Sequence, residues 1–87
     1  MKSFSFDAEE GGDGESFLWR VSPSVRRAII GSEAFDNEVQ INEEIAAEDG
    51  LGKPPLPAYL YPGELLTAMG CKQGKKYRFA ISAEELP

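Results

Sequence analysis

The sequence of 87 residues contains no histidine and a single cysteine, Cys71. Without histidine, it lacks the side chain best suited to proton transfer near neutral pH and the commonest metal ligand. One cysteine forms no internal disulfide, which excludes a secreted domain held together by disulfides and favours a reducing cytoplasm. Because no histidine is present to act as its base, we interpret Cys71 as a partly buried filler, and we predict no catalytic, cofactor-binding or metal-binding residues.

Long apolar runs are also missing from the chain. No stretch approaches the roughly 18 apolar residues that cross a bilayer, and the N-terminus lacks the apolar core of a signal peptide. Hydrophobic residues make up 41% of the chain and charged residues 28%, which is ordinary for a globular protein. We therefore expect one soluble, cytoplasmic domain over residues 1–87 that does not bind membranes.

Basic residues are few, since nine lysines and arginines stand against 15 acids and the net charge is −6. Residues 1–50 hold four bases and twelve acids, whereas residues 51–87 hold five bases and three acids. Such an acidic body repels phosphate, so nucleic acid is disfavoured and a basic protein partner is favoured. The predicted negative surface comprises the loop at 9–15 and the region 33–49. The candidate partner-binding residues, with two tyrosines as interface anchors, are Glu9, Glu10, Asp13, Glu15, Tyr59 and Tyr61.

The most consistent local pattern spans residues 61–81. Pro62 suits the first position of a helix, and Gly70 suits the position just past its end. Gly74 and the lysines beside it predict a polar turn. Apolar residues then occupy every second position of 77–81, which predicts a half-buried strand.

Eight residues of this segment follow a series of proline, acid, leucine, glycine and lysine positions: Pro62, Glu64, Leu65, Gly70, Lys72, Gly74, Lys76 and Phe79. In this series the chain resembles the AbrB/MazE swapped-hairpin superfamily of cradle-loop small barrels. The resemblance implies strand–strand–helix–strand units that form intertwined dimers and act as transcription factors or antitoxins. It also implies DNA contacts from basic residues, for which the candidates are Lys72, Lys75, Lys76 and Arg78, joined by Arg26 and Arg27 if the two helices are pseudo-symmetric.

The N-terminal part of the chain offers a similar pattern. Apolar and polar residues alternate in 2–8 and again in 17–21, on either side of a glycine-rich and acidic stretch at 9–15. This arrangement predicts a β-hairpin with a long tip. Pro23 and Gly31 then bracket a second short helix.

Residues 36–49 allow two interpretations. Val39 and Ile41 alternate with polar residues, which favours a strand, whereas the spacing of four between Ile41 and Ile45 suits one helix across the region. We prefer the strand because the two proline-to-glycine helices lie 39 residues apart, as expected for a duplicated unit.

These patterns predict an α+β, β-rich fold. It would be a small barrel or twisted antiparallel sheet with two short helices, arranged as two strand–strand–helix–strand halves over 1–42 and 43–87. The function expected from the residues is a non-enzymatic interaction or regulatory module that binds a protein partner through an acidic surface. The alternatives are a dimeric AbrB/MazE-like DNA-binding regulator or antitoxin and, after it, a small enzyme or ligand-binding barrel.

Overall fold

The structure is a computed structural model that describes residues 3–11 and 18–87. These residues form an α+β arrangement of three strands and three helices. In chain order the elements are β1 (Glu9–Glu10), β2 (Trp19–Arg20), α1 (Pro23–Ile30), α2 (Ser32–Glu48), β3 (Tyr59–Leu60) and α3 (Pro62–Ala68). None of the helices in the described ranges combines the length and the hydropathy that a bilayer crossing requires.

The three strands form one open antiparallel sheet in the order β1-β2-β3. Trp19 is paired with Glu10 on one side and with Leu60 on the other. The antiparallel pairing of the first two strands agrees with the predicted hairpin, but the strand predicted at 2–8 is wrong over residues 3–8, which lie outside any strand. Strand β1 is instead formed by Glu9 and Glu10, which were expected in the tip. No closed barrel is formed by the described residues.

Helices α1 and α3 confirm the two helices that proline and glycine predicted. Each begins at its proline, and the Ser22 hydroxyl caps α1 by accepting a hydrogen bond from the backbone N–H of Val25 at 3.2 Å. Each is followed by a glycine with positive φ, 96° at Gly31 and 89° at Gly70, a conformation that glycine adopts without steric cost.

Helix α2 overturns the preferred interpretation of residues 36–49, which are helical up to Glu48 and form no strand. Its inner face is set by Phe35 and Ala46, which are buried and lie eleven residues apart, or about three helical turns. The alanines and glutamates in its second half are strong helix formers, and they outweigh the short alternation around Val39. Because α2 continues through residues 42 and 43, the first of the expected halves has no third strand.

The strand predicted at 77–81 is also absent, since residues 75–87 belong to no helix or strand. Alternation alone does not make a strand, because its backbone groups need a neighbouring edge with which to form hydrogen bonds. No strand of the described residues pairs with this segment, and Ile81 is 92% exposed. The preceding turn is present, with Gly74 at a φ of 82°.

The hydrophobic core lies where the sheet meets α1 and α3. Leu60 is fully buried at its centre, against Val21 and Ile29. Trp19 packs against this cluster, as its alternation predicted, and Phe6 meets the Trp19 ring edge to face with a centroid distance of 5.8 Å. A second set of contacts, which is polar, lies on the opposite face of β3.

Candidate functional site

That polar set centres on Arg26 in α1, whose side chain is buried although it is charged. Arg26 is only 2% exposed, so its proposed place in a basic DNA-binding patch is wrong. Two carboxylates hold the guanidinium in place, one from α2 and one from α3. The group therefore links three helices and β3, and we call these residues the Arg26 network: Arg26, Glu38, Tyr59 and Glu64.

All five N–H groups of the Arg26 guanidinium are used within the network. Nε and Nη2 donate to the two carboxylate oxygens of Glu38 at 2.9 and 2.7 Å. Nη1 and Nη2 donate to those of Glu64 at 3.0 and 2.8 Å, and Nη1 also donates to the backbone carbonyl of Tyr59 at 2.7 Å. Both ion pairs are thus bidentate, the geometry in which a guanidinium binds a carboxylate most strongly.

Tyrosine 59 completes the network from the sheet side. Its ring lies 4.2 Å from the guanidinium carbon of Arg26, a cation–π distance, and its hydroxyl donates to Glu38 at 3.2 Å. Glu64 in turn accepts a hydrogen bond from the backbone N–H of Tyr61 at 2.9 Å, which fixes the start of α3.

Contacts within the network shift the pKa values of Arg26, Glu64 and Tyr59. Burial lowers the pKa of Arg26, but hydrogen bonds and charge attraction from Glu64 and Glu38 outweigh it and raise that pKa above its ordinary value. The hydrogen bond from Arg26 lowers the pKa of Glu64. Burial, together with the negative charge of Glu38, raises the pKa of Tyr59. The hydrogen bonds of Arg26 to Glu38, Tyr59 and Glu64 tie α1 to α2, β3 and α3.

Among residues 3–11 and 18–87, helix α2 carries the most exposed acids, and it contains no lysine or arginine. We call the exposed acids of this helix and the two exposed isoleucines among them the acidic face: Glu33, Asp36, Ile41, Glu43, Glu44, Ile45 and Glu48. Ile41 and Ile45 are 44% and 51% exposed. Residues three and four apart are neighbours on a helix surface, so these isoleucines lie against each other and beside Glu44 and Glu48.

The partner-binding residues predicted from the sequence that the structure describes lie in different elements. Glu9 and Glu10 lie exposed in β1, and Glu9 forms an ion pair with Arg20 at 3.4 Å. Strand β2 separates them from Tyr59 and Tyr61, whose rings meet edge to face at 5.6 Å. Tyr59 belongs to the Arg26 network, whereas Tyr61 remains exposed. The other two predicted residues, Asp13 and Glu15, lie outside the described residues.

The predicted nucleic-acid residues lie together in residues 72–79, which we call the basic segment. Lys72, Lys75, Lys76 and Arg78 are all exposed. Arg27, which was expected to join them, instead lies 3.9 Å from Asp36. Cys71, at the edge of the segment, is partly buried as predicted.

Within residues 3–11 and 18–87, no three cysteines or acids gather closely enough to hold a metal ion. Comparison of the chain with protein families, curated proteins and solved structures finds no match. The candidate sites are therefore judged on their geometry alone.

Sequence reasoning placed region 33–49 on the negative surface but missed how its residues are arranged. It did not predict the Arg26 network, because Arg26 lies 12 to 38 residues away from its three partners and nothing in that spacing links them. The acidic face, in contrast, could have been predicted from the sequence. Ile41 and Ile45 are four apart, as are Glu44 and Glu48, which is the spacing of one helix face.

Proposed function

We propose that this chain is a non-enzymatic interaction module that binds a basic protein segment through the acidic face of α2. The observation that carries the proposal is the exposed pair Ile41 and Ile45, set beside Glu44 and Glu48 on a helix without basic residues. Turnover of a small molecule by the pure protein would contradict the non-enzymatic part of the proposal.

The two kinds of side chain on this face have different roles in binding. The isoleucines supply apolar area that a partner can desolvate, the usual source of affinity at the centre of an interface. The surrounding carboxylates attract lysine and arginine and repel acidic competitors, which gives orientation and a faster encounter. The occupant that fits both is an amphipathic helix with an apolar stripe and lysines or arginines beside it.

The Arg26 network supports this proposal by fixing α2 before any partner arrives. Glu38 lies on α2 between Ala34 and Ile41, and its two bonds to Arg26 tie that part of the helix to α1. A surface that is already ordered loses little conformational entropy on binding, so more of the contact energy is available as affinity.

A synthetic helix tests the proposal. A fluorescein-labelled peptide with leucines on one face and lysines beside them should bind the protein, as measured by fluorescence anisotropy. The Ile41→Ser/Ile45→Ser variant should lose at least about tenfold in affinity, since each isoleucine contributes about 1 kcal/mol or more at an interface centre. Leu86→Ser, at an exposed leucine outside α2, is the matched control and should bind normally. Equal affinity of all three proteins would exclude this face.

The AbrB/MazE-like DNA-binding regulator is retained as the second candidate function, because the cations of the basic segment are exposed. In that proposal a second copy of the chain would complete a small barrel from the open sheet. Retention of duplex DNA at low salt, lost in Lys75→Glu/Lys76→Glu, together with a dimeric mass in solution, would support it. A monomeric protein that does not bind duplex DNA would exclude this second candidate function.

A further inference from the structure

The cations of the basic segment differ from the other arginines of the described chain. Arg20, Arg26 and Arg27 each form an ion pair with a carboxylate. In the described ranges, no side-chain ion pair involves the four cations of the segment, and the sequence holds no acid from residue 71 to residue 83. Their charges are therefore available to an external anion.

Aromatic rings are interleaved with these cations. Tyr77 and Phe79 flank Arg78 in the sequence, and their ring centroids are 6.2 Å apart at an interplanar angle of 49°. The Tyr77 hydroxyl accepts a hydrogen bond from the backbone N–H of Lys72 at 2.8 Å, which holds that ring against the turn at Gly74. Phe79 is 49% exposed, so a face or edge of its ring is open to a ligand.

The rings and the lysines share one open depression. Tyr77, Phe79, Lys72, Lys75 and Lys76 all line it, and its volume is about 670 Å³. A cavity of this size is within the range of sites that accept a small organic group, and a nucleobase is such a group. The same walls thus offer positive charge and an aromatic surface.

We propose that the basic segment binds single-stranded nucleic acid. Lys72, Lys75, Lys76 and Arg78 neutralise successive phosphates, and Phe79, with Tyr77 beside it, stacks against an exposed base. Aromatic stacking combined with a basic groove is the usual means of holding single strands, whereas a duplex keeps its base faces covered. This site lies outside α2, so the inference stands apart from the protein-binding function.

The test uses the full chain and a fluorescein-labelled oligo(dT) in an anisotropy titration at low salt. Four neutralised phosphates predict that the logarithm of the affinity falls with the logarithm of salt concentration with a slope of about −3. Phe79→Ala should weaken binding at least about fivefold, since stacking contributes about 1–3 kcal/mol per base, while Phe79→Trp should retain it. Lys75→Glu/Lys76→Glu should abolish binding, and Lys53→Glu, at an exposed lysine outside the segment, should bind as the wild type does.

Three outcomes would overturn the inference. Failure to bind oligo(dT) at low salt is the first, and tighter binding of a duplex of equal length, which would favour the DNA-binding regulator, is the second. The third is an affinity for oligo(dT) that Phe79→Ala leaves unchanged and that equals the affinity for heparin. That result would mean a non-specific contact with polyanions. Amide chemical shifts distinguish a local loss of binding from unfolding of a variant. If they change on titration only around residues 72–79, the site is local and a folded variant that does not bind has lost that contact.

Discussion

At the scale of single residues, Arg26 has the most consequences for the fold. Burying a guanidinium costs several kcal/mol unless its charge and all its donors are matched. Here two bidentate carboxylates, one carbonyl and the ring of Tyr59 satisfy it. Because those partners come from α2, α3 and β3, one side chain fixes the relative positions of four elements.

Replacement of Arg26 should therefore be strongly destabilising. In Arg26→Met, Glu38 and Glu64 face each other without their shared cation, and we expect a loss of about 3 kcal/mol in the free energy of unfolding measured in urea. Arg27→Met is the matched control, because Arg27 is exposed and its pair with Asp36 is long, at 3.9 Å. That variant should lose no more than about 0.5 kcal/mol. Similar losses in both variants would contradict the role of the network.

The pH dependence of stability follows from Glu64. Arg26 holds the pKa of Glu64 below its ordinary value of 4.5, so the folded state binds this proton more weakly than the unfolded state does. The resulting stabilisation is present above the unfolded pKa and is lost as the pH falls through the folded pKa. Urea midpoints should decline below about pH 4.5, and the decline should be shallower in Glu64→Gln. An equally steep decline in the variant would contradict this assignment.

At the scale of elements, the junction between α1 and α2 depends on one residue. Gly31 alone separates the two helices, and its φ of 96° and ψ of 151° lie in a region that only glycine commonly occupies. The direction in which α2 leaves α1, and with it the orientation of the acidic face, depends on this backbone conformation.

A pair of alanine substitutions tests this dependence. A Cβ on Gly31 would meet no atom within 4 Å, so any cost of Gly31→Ala comes from backbone strain, and we expect a loss of about 1–3 kcal/mol in urea unfolding. Gly52→Ala also has open space, but its φ is not in the positive range. It should leave stability unchanged or raise it by about 0.5 kcal/mol. A neutral Gly31→Ala variant would exclude a strained junction.

Some elements could be predicted from the sequence, and others could not. Helices α1 and α3 were predictable because proline and glycine act locally, at the helix ends. The interpretation of 36–49 as a strand failed because its alternation covers only a few residues, whereas Phe35 and Ala46 bury a helical face that becomes visible only over the full length of α2. The prediction of a strand at 77–81 was wrong for a different reason. A strand requires a partner edge, and the residues of this segment do not determine whether one is present.

At the scale of the whole molecule, the charges are segregated. In the part of the chain that the structure describes, exposed acids are concentrated on α2, whereas the cations of the basic segment, beyond α3, form no ion pair. The Cα radius of gyration is 15.0 Å, compared with about 12 Å for a compact domain of this length. The chain is thus more extended than a compact domain of this length.

The central claim is that the acidic face binds a partner helix that carries lysines or arginines. A charge swap tests this claim most directly. Two labelled helical peptides would share one leucine stripe, flanked in one by lysines and in the other by glutamates. By fluorescence anisotropy, the wild type should prefer the lysine peptide at least about tenfold, and Glu44→Lys/Glu48→Lys should reverse that preference, because like charges facing each other cost several kcal/mol. Affinities for the two peptides that stay the same after the charge reversal would contradict the account.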